Sequence, residues 1–269
     1  MKFSSLISMA LAASQPAFAS IGNTWQFTGK PKGGLRDITF PFRMEGATHK
    51  EGYFFAQQFS FQGLQSESVC GLKTQSNQPD GPTGRSVIRA VFSTYQPGAT
   101  TEDSNCHNGV DGGPGITCTA DFYGDYIAIF NILIENVGGT TWKATAINTS
   151  TGRGVHIGTW TLPSSAGGIN SKQYGFIEYT PWNSGRHLCK NLPRTAATMY
   201  NPFSKTPGAG TGRLNAPYQY LDCVNFMGFS IQKVPNGYHV QCGFYSAPSR
   251  RSEALMLPDA AEEETSVRS

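Results

Sequence analysis

Apolar and polar residues alternate with a period of two along much of the chain. From Tyr53 to Gln62, the odd positions are mostly aromatic, and the even positions carry mostly small or amide side chains. This alternation is typical of a β-strand with one buried face. Similar patterns predict strands over Ser86–Tyr95, Tyr174–Thr180, Phe226–Lys233 and Tyr238–Gly243.

Turn residues separate these segments at short intervals. Residues 148–154 form a turn-prone linker between Thr141–Ile147 and Val155–Leu162, and a Val-Pro-Asn-Gly sequence at 234–237 joins the last two strands. Both arrangements predict β-hairpins. The nearly continuous apolar run Tyr126–Ile134 predicts a central strand covered on both sides. The chain is therefore expected to be all-β, a two-layer antiparallel β-sandwich of jelly-roll or concanavalin-like type.

Composition supports this expectation. Gly and Pro (31 and 16 residues) outnumber the charged residues (21 basic and 18 acidic), which argues against long helices and coiled coils. The 17 Phe, 4 Trp and 11 Tyr argue against disorder of the whole chain. The formal charge of +3 comes without a Lys/Arg cluster, so nucleic acid is not an expected partner.

The first residues read as a secretion signal. Phe3–Ala13 is apolar but too short to span a bilayer, and Ala17–Ala19 has the small-x-small pattern of a signal peptidase site. No later apolar stretch is long enough for a transmembrane segment. We predict a signal peptide at 1–19, one β-sandwich domain at 20–245, a disordered acidic tail at 246–269, and a secreted, extracellular protein.

Export suggests that the cysteines pair. The six cysteines are Cys70, Cys106, Cys118, Cys189, Cys223 and Cys242, and three disulfides are expected in an oxidising compartment. Cys106 is predicted to pair with Cys118 across a Gly-rich loop, and at least one bridge is expected in the C-terminal third. The aperiodic segment Leu192–Pro217 is predicted to be a long loop held between Cys189 and Cys223.

Several segments occur in an order that suggests a family: Gly52–Phe61, Asp111–Cys118, Ile157–Trp160 with Leu162–Pro163, Gly175–Tyr179, and Cys189 with Leu192–Pro193. Over roughly residues 50–193 the chain resembles the secreted domain-of-unknown-function family 3472. The resemblance implies a concanavalin-like or jelly-roll sandwich and no established reaction. The segment after Cys189 and the acidic tail depart from the family pattern.

Candidate chemistry is sparse. Glu178, which lies among aromatics in a predicted strand, is a weak catalytic candidate, because a glycoside hydrolase needs a second carboxylate and the sequence nominates no partner. A structural carboxylate is the favoured interpretation. The oxygen-rich stretch before Gly115 does not fit a calcium loop, so neither a metal nor a cofactor is predicted. Asn148 begins an Asn-x-Ser sequon at a predicted turn and is a candidate glycosylation site.

Aromatic and amide side chains are the candidate binding groups. Among the aromatics Trp142, Trp160, Trp182, Tyr179 and Tyr95, most are expected in the core. Trp182, Tyr179 and Gln58 remain the predicted ligand-binding residues, with aromatic faces stacking on a sugar and the amide reading its hydroxyls.

The absence of a catalytic motif favours a secreted, non-catalytic binding protein. By analogy with secreted effectors of plant-associated fungi, we expect an effector or virulence protein that recognises a glycan or host surface protein and provokes host cell death. Two alternatives stay open: a polysaccharide-active enzyme (glycoside hydrolase or lyase) and a lectin-like cell-wall protein. The oligomeric state is not predicted.

Overall fold

A computed structural model describes residues 19–78, 86–183, 188–221 and 223–245. The fold is nearly all-β, and two antiparallel sheets pack as a sandwich, which confirms the predicted fold class. The predicted tail and all of the predicted signal peptide except Ala19 lie outside the described residues.

The strands of the described residues, in chain order, are β1 (Ala19–Phe27), β2 (Asp37–Arg43), β3 (Tyr53–Ser60), β4 (Glu67–Thr74), β5 (Ser86–Thr94), β6 (Cys106–Val110), β7 (Gly113–Gly124), β8 (Phe130–Gly138), β9 (Thr141–Asn148), β10 (Gly154–Thr161), β11 (Lys172–Tyr179), β12 (Thr195–Tyr200), β13 (Gly212–Leu214), β14 (Tyr218–Gln219), β15 (Ser230–Val234) and β16 (Gly237–Cys242). Two short 3-10 helices span Thr180–Asn183 and Cys189–Asn191.

Among the described residues, nine strands form one sheet, here called the large sheet, and seven form the small sheet. The large sheet has the order β13-β1-β11-β3-β4-β5-β7-β6, and β14 also pairs with β1. The small sheet has the order β10-β9-β8-β2-β12-β16-β15. Neighbouring strands are antiparallel throughout, so each strand turns one face to the other sheet and one face away from it.

The core lies between the two sheets. On β3, the odd residues Tyr53, Phe55 and Phe59 are buried there, as the alternation predicts. The rings of Phe92 on β5 and Trp160 on β10 stack across the core, with centroids 4.4 Å apart. This aromatic contact joins the two sheets directly.

The two predicted hairpins are present, but some strand boundaries differ. The predicted central strand Tyr126–Ile134 begins only at Phe130, because residues before it form a turn and Tyr126 donates its hydroxyl to the Val87 carbonyl. The strand alternates between buried and half-buried positions, so the prediction that it is covered on both sides is wrong. Similarly, the predicted strand from Phe226 begins at Ser230.

The segment Leu192–Pro217 is not a long loop. It contains β12, which lies inside the small sheet between β2 and β16, and β13, which extends the edge of the large sheet at β1. Ala196 and Ala197 are both buried on β12, and their small side chains give little of the hydrophobic alternation that marks the other strands.

All six cysteines are described, and they form two disulfides. Cys106 pairs with Cys118, as predicted, and Cys189 pairs with Cys223. The expectation of a third disulfide is wrong, because Cys70 and Cys242 are free and buried. Cys70 lies on the large sheet and Cys242 on the small sheet. Packed sheets are about 10 Å apart, which exceeds the Cα separation that a disulfide spans.

Candidate active site on the outer face of the large sheet

The face of the large sheet that points away from the core carries an unexpected apolar floor. Phe54 and Ala56 on β3, Val69 on β4 and Val91 on β5 are each at most 5% exposed, although they do not face the small sheet. We call this surface the outer face. Buried apolar residues outside the core indicate that neighbouring side chains close over them.

Phe176 on β11 packs against this floor. Its ring meets that of Phe54 edge to face at a centroid distance of 5.7 Å. The ammonium group of Lys73 lies 4.8 Å from the centre of the Phe54 ring. Aromatic and basic side chains therefore partly cover the floor.

A carboxyl–amide pair lies on the outer face next to the floor. Gln58 Nε2 donates a hydrogen bond of 2.8 Å to Glu67 Oε2. Gln173 Nε2 donates to the other carboxylate oxygen at 3.3 Å. Burial raises the pKa of Glu67 above its ordinary value, because the ionised form loses solvation. Glu67 thus combines direct amide contacts with a strengthened hold on its proton.

The pairing of strands explains why these two side chains meet. Ser60 on β3 faces Glu67 on β4, and Gln58 lies two residues earlier on the same face of β3. A diagonal neighbour at this spacing is within reach of long side chains. The β3–β4 hairpin therefore builds the pair locally.

Glu178, the catalytic candidate of the sequence, also points to the outer face. It lies opposite Phe54 in the pairing of β11 with β3 and is only 6% exposed. Burial raises the pKa of Tyr220, and the negative charge of Glu178 raises it further. Glu178 therefore lies in the electrostatic neighbourhood of at least one phenol.

Tyr95 lies within the electrostatic influence of both carboxylates. Its hydroxyl donates to Asp111 Oδ2 at 2.7 Å, and burial followed by this hydrogen bond raises its pKa. The charges of Glu178 and Glu67 raise the pKa of Tyr95 in addition.

The Gly-rich segment before Cys118 forms the turn of the β6–β7 hairpin. Asp111 lies at this turn between β6 and β7 with a φ of 48°, and its carboxylate holds Tyr95. Within the described residues, no cluster of three or more His, Cys, Asp or Glu side chains could hold a metal ion.

The remaining predicted binding residues are dispersed. Tyr179 packs against Tyr53 beside the core, with ring centroids 5.0 Å apart, and its role in a binding surface with Gln58 stays a prediction. Trp142 and Trp160 are fully buried and offer no sugar platform. Trp182 lies in the 3-10 helix Thr180–Asn183, and its side chain is outside the described part of the structure.

Glycosylation of Asn148 stays a prediction. The residue ends β9, and its side-chain oxygen accepts backbone N–H groups of Ser150 and Thr151 at 2.9 and 3.3 Å. This turn leaves the side-chain nitrogen uninvolved in those two bonds.

Sequence reasoning missed Glu67 and Tyr220. The strand that ends near Phe61 and the following Gln62-Gly63 turn contain a usable signal, because a hairpin there returns Glu67 alongside Gln58. Tyr220 had no such local signal, because it follows β14, which reaches β1 from almost two hundred residues away.

Comparison with known proteins gives a likeness in solved structures only. No protein-family model and no curated protein matches the chain. Scytalido-glutamic peptidase with a peptide-based transition-state analogue aligns at 12% identity and a TM-score of 0.45, over 85% of this chain and 99% of that one. SCP-B, a member of the eqolisin family of peptidases in complex with the tripeptide Ala-Ile-His, aligns at 11% identity and 0.43, with the same coverages.

These neighbours overturn one expectation from the sequence. Both are peptidases, and the prediction of a non-catalytic effector is withdrawn. The resemblance to the domain-of-unknown-function family stays a prediction. No helix among the described residues is both long and apolar enough to cross a membrane.

Proposed function

We propose that this chain is a secreted hydrolase that cleaves peptide bonds on the outer face of the large sheet. The observation that carries the proposal is the contact of 2.8 Å between Gln58 Nε2 and the half-buried carboxylate of Glu67. The peptidase activity of the structural neighbours belongs to those proteins, and the proposal for this chain rests on its own residues. Its two disulfides are compatible with an oxidising, extracellular compartment.

Glu67 acts first as a general base. Its ionised carboxylate accepts a proton from a water molecule as the water oxygen attacks the carbonyl carbon of the substrate. The same carboxyl group then donates that proton to the leaving amine nitrogen when the carbon–nitrogen bond breaks. Its raised pKa suits this double role, because the group must hold the proton between the two steps.

Gln58 stabilises the negative charge that develops on the substrate during the reaction. Its side-chain nitrogen carries two N–H groups, and the bond to Glu67 uses one of them. The other N–H donates to the oxygen of the substrate carbonyl, where negative charge develops as water attacks. Removing one such donor typically lowers kcat by about 10²- to 10³-fold.

The direct pair is a carboxyl with an amide, which favours peptide over glycoside hydrolysis. Glycosidases use two carboxyl groups about 5–9.5 Å apart. Glu178 lies opposite Phe54 on β3 and Glu67 lies opposite Ser60, six residues further along that strand, which corresponds to about 20 Å. Glu178 therefore serves here as a neighbouring charge and not as the partner of Glu67.

The proposal is tested by incubating the purified protein with a peptide library over a range of acidic and neutral pH and detecting new termini by mass spectrometry. We expect cleavage by the wild type, loss of cleavage in Glu67→Gln, and a decrease of about 10²- to 10³-fold in Gln58→Ala. Glu135→Gln is the matched control, because this carboxylate pairs with Lys143 on the small sheet.

Two results would contradict the proposal. One is the absence of peptide cleavage at every pH by folded wild-type protein. The other is release of reducing sugar or unsaturated uronate from a polysaccharide panel that Glu178→Gln abolishes and Glu67→Gln preserves, which would establish the polysaccharide-active alternative.

A further inference from the structure

The aromatic ring of Tyr218 lies directly over Gly22, on the same sheet as the proposed site. Tyr218 on β14 pairs with Gly22 on β1. A Cβ atom built on Gly22 would lie 2.8–2.9 Å from three atoms at the far end of the Tyr218 side chain. The Tyr218 ring therefore occupies the space over Gly22 that any other residue's side chain would take.

The direction in which Gly22 faces places this ring on the outer face. Gly22 is paired with Phe176, and Phe176 with Ala56, so the three residues form one row across β1, β11 and β3. Ala56 belongs to the apolar floor, and Phe176 packs against it. Tyr218 thus extends the floor towards the edge of the sheet.

Tyr218 is accessible, unlike the residues of the floor. Its side chain is 45% exposed, and that of Tyr174, two residues before Phe176 on β11, is 55% exposed. The Tyr220 ring lies 6.1 Å from that of Tyr218 and connects it to the surroundings of Glu178. Exposed rings next to a buried apolar floor offer a flat surface to a ligand.

We infer that Tyr218 forms a binding wall that takes an aromatic side chain of the peptide substrate. The inference rests on the proposed function. A ring of the substrate would pack against Tyr218 and the edge of Phe176, in the offset or edge-to-face geometry that aromatic pairs prefer. The peptide would lie across the strands of the large sheet.

The strand spacing sets the position of the recognised residue. Gly22 and Ala56 are two strand spacings apart, about 10 Å, and Gln58 lies about 7 Å further along β3. The combined separation of about 12 Å equals three or four residues of an extended peptide. The favoured aromatic residue is therefore three or four positions from the cleaved bond.

Binding tests the wall independently of the chemistry. Two blocked nonapeptides, identical except for one Phe or Ala, are titrated by calorimetry into the Glu67→Gln variant. We expect the Phe peptide to bind about three- to tenfold more tightly. Adding Tyr218→Ala should remove this preference, because the ring is lost. Adding Gly22→Ala should remove it as well, because the new Cβ displaces the ring without straining the backbone. Adding Tyr218→Phe should keep the preference.

Gly33→Ala is the control, because a Cβ at Gly33 would meet no atom within 4 Å. Thermal unfolding of each variant distinguishes a binding role of Tyr218 from a purely structural one. A purely structural role would lower the Tm of the Tyr218 and Gly22 variants and leave the Phe preference unchanged. Equal binding of the two peptides, no binding of either, or a preference that survives in folded Tyr218→Ala would overturn the inference. If the Phe preference holds while wild-type protein cleaves nothing, the proposed chemistry fails and the wall stands.

Discussion

At the scale of single residues, burial decides what the ionisable groups can do. Glu67 and the free thiols of Cys70 and Cys242 all lose solvation in the folded chain, and burial raises the pKa of each. Glu67 differs from the thiols because it lies on the outer face, where the amide groups of Gln58 and Gln173 contact it. Burial therefore favours the protonated form of all three groups, and in the proposed function only Glu67 transfers its proton.

The raised pKa of Glu67 has a consequence for stability. The folded chain holds this proton more tightly than the unfolded chain, whose ordinary value is 4.5, so the contribution of Glu67 to the free energy of unfolding falls as pH rises from 4.5 through the folded value. Urea titrations of wild type and Glu67→Gln across this window measure the effect. We expect the wild type to lose stability relative to the variant as pH rises, and a relative gain would show that the pKa is lowered.

The two thiols provide a second prediction. Cys70 is completely buried, and burial raises the pKa of Cys242 to about 12, so both should resist alkylation in the native protein. Mass spectrometry after alkylation in denaturant without reductant should find two modified cysteines per chain. Finding none would indicate the third disulfide that the cysteine count predicts.

At the scale of strands and hairpins, sequence pattern succeeds where neighbours along the chain pair. The hairpin of β9 and β10 and that of β15 and β16 follow from local turn residues and alternation. β12 does not, because its small residues hide the period and its partners β2 and β16 are distant in the chain. The Gln58–Glu67 pair is accessible to the same local reasoning, whereas Tyr218 over Gly22 depends on a long-range pairing.

The β6–β7 hairpin carries a prediction at this scale. The Cys106–Cys118 disulfide fixes the hairpin whose turn places Asp111 against Tyr95. Replacing both cysteines by Ala should lower the free energy of unfolding by about 3 kcal/mol. This is the value expected for a disulfide that closes a loop of about 15 residues, and the two cysteines are 12 residues apart. Chemical denaturation measures this loss, and an unchanged midpoint would show that strand pairing alone holds the hairpin.

At the scale of the whole molecule, the two sheets have different tasks. Aromatic stacking between them, such as that of Phe92 with Trp160, makes the core, and the large sheet then exposes its second face to carry the proposed site. Sequence alternation identifies the buried face of β3 correctly. It does not reveal that the opposite face is also buried, since Tyr95 and Phe176, which pack against that face, come from other parts of the chain.

The inter-sheet contact is tested by Phe92→Ala. Loss of this fully buried ring should reduce the free energy of unfolding by about 3–5 kcal/mol, because a cavity opens between the sheets. Ile127→Ala, at a position 63% exposed, is the control and should change stability by less than about 0.5 kcal/mol. Equal effects in thermal unfolding would contradict the assigned core.

The pH dependence of kcat/KM reports directly on the proposed transfer of a proton by Glu67 in peptide hydrolysis. For the wild type, kcat/KM should rise with pH through an apparent pKa above 4.5, as the carboxyl group ionises. Glu67→Gln should lower kcat/KM by at least about 100-fold and lose this ascending limb. A folded Glu67→Gln variant with the wild-type rate and pH profile would contradict the claim.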